Sequence, residues 1–586
     1  MAEAYKISIF ELQTKANTMH YHFSIPEAQT QYINIAVEIN TTEAQTTLQF
    51  PTWRPGRYEL GNFAKNVRFL KVMDAAGKEI SAQKTSHSVW SVDTTNTKTI
   101  TVKYQYYAAE LNAGSTFLDK TQLYVNPVNC CLYNPALMEE KCTLTFDVPE
   151  TWQLASSFDK DGDVYSVKDV HELMDTPFIW SPNLQMKTYE VADTLFYVWF
   201  NGEVKPQWDK IIKDFKAFTE KQIEKFTEFP VKEYHFIFQI VPYKLYHGVE
   251  HQKSTVIALG PSYAVFEELY TEFLGVSSHE LYHTWNVKAI RPIEMMPYDY
   301  SQENYSPMGY LCEGVTTYLG DLFLMKSGVF DMQQYFKEMR TQLQRHFDNH
   351  GRFNHSVAES SFDTWLDGYV LGAPGRKVSI YVEGCLLAFV TDVMIRRYTD
   401  DKRGIDDVMR QLFVNHGLKN IGVSEADYKA AIENVAGVSF NWLFNEYIHG
   451  TKGYEAVLFD CFEYLGIEML HEPSKKYSEG RLGFKVLENA SSCVLKAIYP
   501  GGPADMAGAM LEDNVVAVNN CKVNGDLNKW LTYFDDDIKV LTVERKGQLV
   551  ELTMPEVQRY FYSTYDLKLT ENPDKNQKKA LEWWSK

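Results

Sequence analysis

Cysteine is scarce: the 586-residue chain has 8, scattered from Cys130 to Cys521, and none stands at C-x-x-C spacing. That pattern excludes a zinc ribbon and a dithiol redox motif. It fits a reducing compartment. No run of about 18 apolar residues occurs, so no stretch is long enough to cross a bilayer as a helix. The opening Met1-Ala2-Glu3-Ala4-Tyr5 lacks the basic and apolar regions of a secretory leader, and a cytoplasmic location is expected. Positive charge is also short. Lys plus Arg number 58 against 77 Asp plus Glu, for a net −19. A basic face for phosphates is therefore not expected, which argues against nucleic-acid and anionic-membrane partners.

What is present is ordinary for folded chains, with 45% hydrophobic and 23% charged residues, and rich in aromatics at 14%. At roughly 150 residues per domain the length suggests about three or four domains. Residues 1–190 read as β, because Ile33/Ile35/Val37/Ile39, Ile100/Val102/Tyr104/Tyr106 and Cys142/Leu144/Phe146/Val148 alternate with polar neighbours. Pro206 then opens a stretch with helical spacing at Trp208, Ile211, Ile212, Phe215 and Phe218. Strand-like runs follow at 234–242 and 254–259. From about Tyr263 to Tyr447 the pattern is mainly helical. Strands are expected to return near Tyr454, giving a small α/β module over 456–556 and then a polar tail, 557–586. The whole predicts a multidomain α+β chain with a helical second half to its middle unit, 191–455.

The chemistry is concentrated in His279-Glu280-Leu281-Tyr282-His283. On a helix, positions i and i+4 share a face, so both imidazoles can reach one metal, and Glu280 stands beside it as a general base. Composition alone gives about 0.05 chance occurrences in a chain of this length. The surrounding residues Tyr263–Val287 carry helical apolar spacing. Zinc needs a third protein ligand and an open position. A metzincin would have Gly at 286 and His at 289, and Asn286 and Ala289 exclude it. Glu294, Glu303 and Glu313 remain. Of these, Glu313 directly precedes the apolar run Tyr318–Met325 and is expected at a helix start, facing inward.

The stretch from His279 to Lys288, followed by Ile290-Arg291-Pro292, resembles the glycyl aminopeptidase family of gluzincins, and Glu313-Gly314 matches that family's third-ligand motif. Pro51-Thr52-Trp53-Arg54-Pro55-Gly56-Arg57-Tyr58 and Phe362-Asp363-Thr364-Trp365 resemble it too. The resemblance implies an N-terminal β domain, a thermolysin-like catalytic domain and a C-terminal PDZ domain. It also implies one zinc per chain on His279, His283 and Glu313, with Glu280 as base. Gly248-Val249-Glu250-His251 is similar to the segment that holds a substrate's free amino terminus, and Tyr381-Val382-Glu383-Gly384 to the motif whose tyrosine meets the tetrahedral intermediate. His247 stands where a second Gly is usual, and Glu383 where Lys is usual. Arg481-Leu482-Gly483-Phe484 resembles a PDZ carboxylate-binding loop, for which a peptide C-terminus is the expected partner.

The function these residues predict is a zinc aminopeptidase releasing Gly or Ala from peptides. An endopeptidase or oligopeptidase using the same metal is the alternative. A PDZ scaffold with a structural zinc is a third reading, against which Glu280 weighs, since a structural site has no use for a base.

Overall fold

The computed structural model describes residues 18–41, 43–370 and 372–586. The opening Met1–Tyr5, read above as no leader, lies outside them. No helix among the described residues is long and apolar enough to cross a membrane.

The first unit is β-rich. The three alternating patterns become strands Tyr32–Asn40, Thr99–Tyr107 and Cys142–Asp147, members of one eight-stranded sheet. Their inward residues, with Met19, Tyr21 and Phe23, form a core of their own. Burial of that apolar face is what selects this register, since a one-residue slip would turn the set outward.

A five-stranded sheet follows, in the spatial order Gln185–Val191, Thr194–Asn201, Glu233–Ile240, Ser254–Gly260 and Leu245–Glu250. Glu233–Ile240 runs parallel to both neighbours and is buried after its first residue, hence its near-continuous apolar text. Leu245–Glu250 forms the outer edge, antiparallel to Ser254–Gly260. The helix Trp208–Phe226 buries Ile211, Phe215 and Phe218. Pro206 lies outside it rather than at its first turn, because Gln207 is the cap.

Helices then dominate. One expectation is corrected here. The helix of the His-Glu motif spans Tyr270–Tyr282 rather than 263–287. Its end is set by His283, the cap, after which Asn286 N bonds Tyr282 O and Val287 takes φ 110°. A branched side chain seldom accepts that conformation, so the chain reverses at a strained point. Glu313 stands in the first turn of a helical segment and is buried, as expected. It lies inside a π-helical turn, Tyr310–Val315, that runs on into the helix Thr316–Lys326. Met332–Asp348 and Ile380–Tyr398 complete the surroundings of the site.

Strands do not return at Tyr454. A helix, Glu455–Tyr464, comes first, because Leu458, Cys461 and Phe462 recur at helical spacing and enter the helical core. The residues read as a polar tail are also structured. Ser563–Leu569 pairs with Ile467–Pro473, and the helix Lys575–Ser585 buries Ala580 and Trp584. The Trp584 indole donates to the Tyr318 hydroxyl over 2.9 Å. Lys579 pairs with Asp401 at 3.1 Å and Gln577 donates to the Glu463 carbonyl at 2.9 Å, so the polar face of this helix is tied down as well. Between these segments a six-stranded sheet and the helix Leu527–Tyr533 enclose a separate core of Phe484, Leu495, Val518 and Leu531.

Candidate active site

Local geometry explains the first pair. One helical turn separates His279 from His283, and their Nε2 atoms stand 2.9 Å apart. His283 Nδ1 faces the Asn286 carbonyl oxygen at 2.7 Å, so that nitrogen must donate and Nε2 keeps its lone pair for the site. Glu313 Oε2 lies 3.4 Å from His283 Nε2 and 3.8 Å from His279 Nε2. Two imidazoles and a carboxylate converge on one point, mostly buried. Such a donor set can hold a cation between its members, and two N donors with one O donor suit zinc. Glu250, Glu280 and His283 form a second convergent group sharing His283. The first set suits zinc better, because it offers two imidazole nitrogens where the second offers one.

The π-helical turn is held in place by Asn286. Its Nδ2 donates to the carbonyls of Leu311 (2.8 Å) and Cys312 (3.2 Å) and to Thr316 Oγ1 (3.0 Å). The irregular turn that aims Glu313 is thus tied to the end of the helix carrying the histidines. Gly314 meets Gly384 of the helix Ile380–Tyr398 backbone to backbone, where a Cβ on either would collide.

Glu280 is 5% exposed and its Oε2 lacks a hydrogen-bond partner. Burial pushes its carboxyl well above the usual range, with His283 opposing and Glu250 and Glu313 adding. Its other oxygen stands 2.1 Å from where a Cβ on Gly248 would be, so a larger residue there would displace that carboxylate. Glu250, two residues along the same face, is 4% exposed with an unpartnered Oε1. It is buried, not a solvated edge acid. His251 turns from the groove to Asp175 of the first unit, Nδ1 to Oδ1 3.1 Å. Lys288 Nζ reaches the same oxygen at 2.7 Å. His247 packs against Arg54 (3.4 Å), and burial followed by the charges of Arg54 and Arg57 pushes it down to about 3, leaving it neutral.

Tyr381 sits in the first turn of Ile380–Tyr398, capped by Ser379. Burial, then the charge of Glu313 and the neighbouring Tyr369, push its phenol well up, so it stays protonated. Glu383 points elsewhere, pairing with the fully buried His346 at 2.8 Å. Leu482 and Phe484 are buried in the C-terminal core, and the Leu482 N–H is used by Tyr477 O at 3.2 Å. Gly483, with φ +71°, accepts from Tyr499 N at 2.7 Å.

Two contributors carried no assigned role in the sequence. Tyr58 donates to Glu313 Oε1 across 3.2 Å. It is backed by Trp365, whose ring also meets Trp53 edge to face at 5.0 Å. The signal was the motif 51–58 itself; its meeting with 362–365 was not visible. Asp175 carried no signal.

Residues 20–182 match the family model of the peptidase M61 N-terminal domain, and residues 272–387 that of M61 glycyl aminopeptidase. The fold is shared with an aminopeptidase N family protein from Idiomarina loihiensis at TM-score 0.89 and 22% identity, over 97% of this chain and 100% of that one. An M1 zinc metallopeptidase mutant from Deinococcus radiodurans, bound to a Tyr-Ser-Ala substrate, aligns at TM-score 0.46 and 11% identity, over 75% of this chain and 94% of that one. Comparison with curated proteins returns no significant match. The N-terminal and peptidase segments of the chain thus match two M61 family models, the second that of M61 glycyl aminopeptidase.

Proposed function

We propose that the protein is a zinc-dependent aminopeptidase that releases a small first residue, Gly or Ala, from peptides. The observation that carries this reading is the convergence of His279, His283 and Glu313 beside two further buried carboxylates, Glu280 and Glu250, at a sheet edge. His279, His283 and Glu313 would hold the zinc. Bound there, zinc polarises the scissile carbonyl and acidifies water.

The remaining work falls to side chains. Glu280, its carboxyl raised by burial, takes the proton from the attacking water and passes it to the leaving amine. The protonated Tyr381 phenol donates to the developing oxyanion. Glu250 pairs with the substrate ammonium, which fixes cleavage after the first residue. The edge strand Leu245–Glu250 receives the peptide backbone as an added strand. The catalytic unit is proposed as thermolysin-like, 191–455, and the module 456–556 as a PDZ domain whose edge strand Phe484–Glu488 offers a peptide-binding side.

Hydrolysis of glycyl and alanyl anilides, with and without a chelator, tests the reading. Chelator-sensitive release led by Gly and Ala is expected. A ranking led by Leu or Arg would refute the size preference, and turnover insensitive to chelation would refute the metal.

A further inference from the structure

The edge strand Leu245–Glu250 is open at one end and closed at the other. Tyr243 and Tyr246 are 51% and 58% exposed, whereas Val249 is 1% and Glu250 4% exposed. The sheet does not explain this, because the strand is outermost and pairs only with Ser254–Gly260 among the described residues. An edge is hidden only where something other than a strand covers it.

The cover comes from the first unit. Gly56, with φ +78°, lays its backbone on Glu250: a Cβ there would stand 2.5 Å from Oε2 and 3.2 Å from Oε1. A side chain at 56 would displace that carboxylate, and the left-handed backbone favours glycine as well. Two residues back, Arg54 is 6% exposed and faces His247 Nε2 at 3.4 Å. Its guanidinium lies on Gly114, where a Cβ would come within 2.1 Å of Cζ, and it donates to the Pro55 carbonyl at 3.2 Å. Two residues on, Tyr58 donates to Glu313. Residues 54, 56 and 58 therefore meet His247, Glu250 and Glu313 in turn, as a strap along the site.

The strap is fastened to the middle unit. Thr52 N donates to the Tyr300 carbonyl over 2.8 Å, and the Trp53 indole to the Asp299 carbonyl over 2.7 Å. Past Glu250, Asp175 accepts from Gln252 N at 2.9 Å and faces His251, so the continuation of the edge is covered too. Between this blind end and the base the run is short. Gly248, against which Glu280 rests, is two residues from Glu250, roughly 6.6 Å at ~3.3 Å per residue. With a hydrogen bond of about 3 Å at the amino group, that span takes one residue and not two.

We propose that the strap Arg54–Tyr58 is the stop of a blind groove, in which Gly56 and Arg54 are specificity-determining residues that admit a single residue ahead of the scissile bond. The peptide enters amino end first, and its remainder leaves past Tyr246. This rests on the aminopeptidase reading above and adds a steric barrier to the charge of Glu250, since a packed wall leaves no space for an added acyl group.

The test compares alanyl anilide with N-acetylalanyl anilide on the full chain supplied with zinc. Glu250→Gln keeps the bulk and removes the charge, and Glu250→Gln/Arg54→Ala also removes the guanidinium. In Glu250→Gln, kcat/KM for alanyl anilide should fall at least about tenfold, as for one charge-assisted contact, while the acetylated substrate gains nothing. The double variant should cleave the acetylated substrate at least about tenfold better than Glu250→Gln does. A comparable gain in Glu250→Gln alone overturns the stop and leaves the aminopeptidase reading standing, and so does no gain in a folded double variant. Wild-type cleavage of both substrates alike ends both. Should the double variant not fold, Gly56→Ala decides. Its Cβ displaces Glu250, so KM for alanyl anilide should rise at least about tenfold with kcat little changed, and an unchanged KM overturns the strap. Where the wild type cleaves neither anilide, calorimetric binding of Ala-Ala-Ala and its acetylated form to the same chains gives the same decisions.

Discussion

The hydroxyl of Tyr58, in the β-rich first unit, donates to Oε1 of Glu313 on the helical side across 3.2 Å. The carboxylate of the triad is therefore oriented from another unit of the chain. Tyr58→Phe keeps the ring against Trp365 and removes only that donor. Zinc affinity should fall about 10–100-fold, as for other partners of metal-ligating groups. Chelator competition measures it, and an unchanged affinity would show that Glu313 is oriented without Tyr58.

Glu280→Gln should retain the metal and lose on the order of 10²-fold or more in kcat. Glu313→Ala should lower zinc content instead. Metal analysis and anilide kinetics on the two variants separate the roles. Near-normal turnover of Glu280→Gln would remove it as the base.

Glu250 should enforce cleavage from a free amino terminus, since an unpaired ammonium in a closed site is costly. N-acetylated peptides should be poor substrates, and Glu250→Ala should narrow their disadvantage. Efficient wild-type cleavage of acetylated peptides would favour an endopeptidase.

Tyr381→Phe should cost about 10²–10³ in kcat with fold and zinc content unchanged. Retention of more than about a third of the rate would make Tyr381 a packing residue, with Tyr369 the next phenol to test.

Asp175 holds Lys288 and His251 onto the first unit. Against burial, Lys288 and then His251 keep its carboxyl well below the usual range. Asp175→Asn leaves Lys288 buried without its counter-ion and should cost about 3–5 kcal/mol at pH 7. A depressed folded-state value stabilises above the unfolded carboxylate range and is lost as pH falls through it. The gap between wild type and variant should thus be full above about pH 4 and shrink below it. Denaturant titrations across pH give the answer, and a pH-independent gap would contradict the electrostatic origin.

Some of this was legible residue by residue. The alternation in Tyr32–Asn40 and the i, i+4 pair His279/His283 are local periodicities, and local periodicity survives folding. Element ends were less so. Tyr270–Tyr282 is shorter than its apolar pattern, because the chain reverses at Val287 under ties from Asn286 that no window of sequence contains. The segment read as a polar tail shows the same limit: Trp584 is buried against Tyr335 and Phe389, and its indole reaches Tyr318, 266 residues away.

By itself the sequence determined the paired imidazoles with their adjacent carboxylate and the β-then-helical order, all carried by short-range spacing. Tertiary structure alone decided that Glu313 meets those imidazoles from within a π-helical turn, that Glu250 and Glu280 share a buried face, and that Glu383 turns away to His346. The reason is physical. Spacing along a chain sets which side chains share a face of one element, while the meeting of faces from different elements depends on packing and on which buried polar groups find partners.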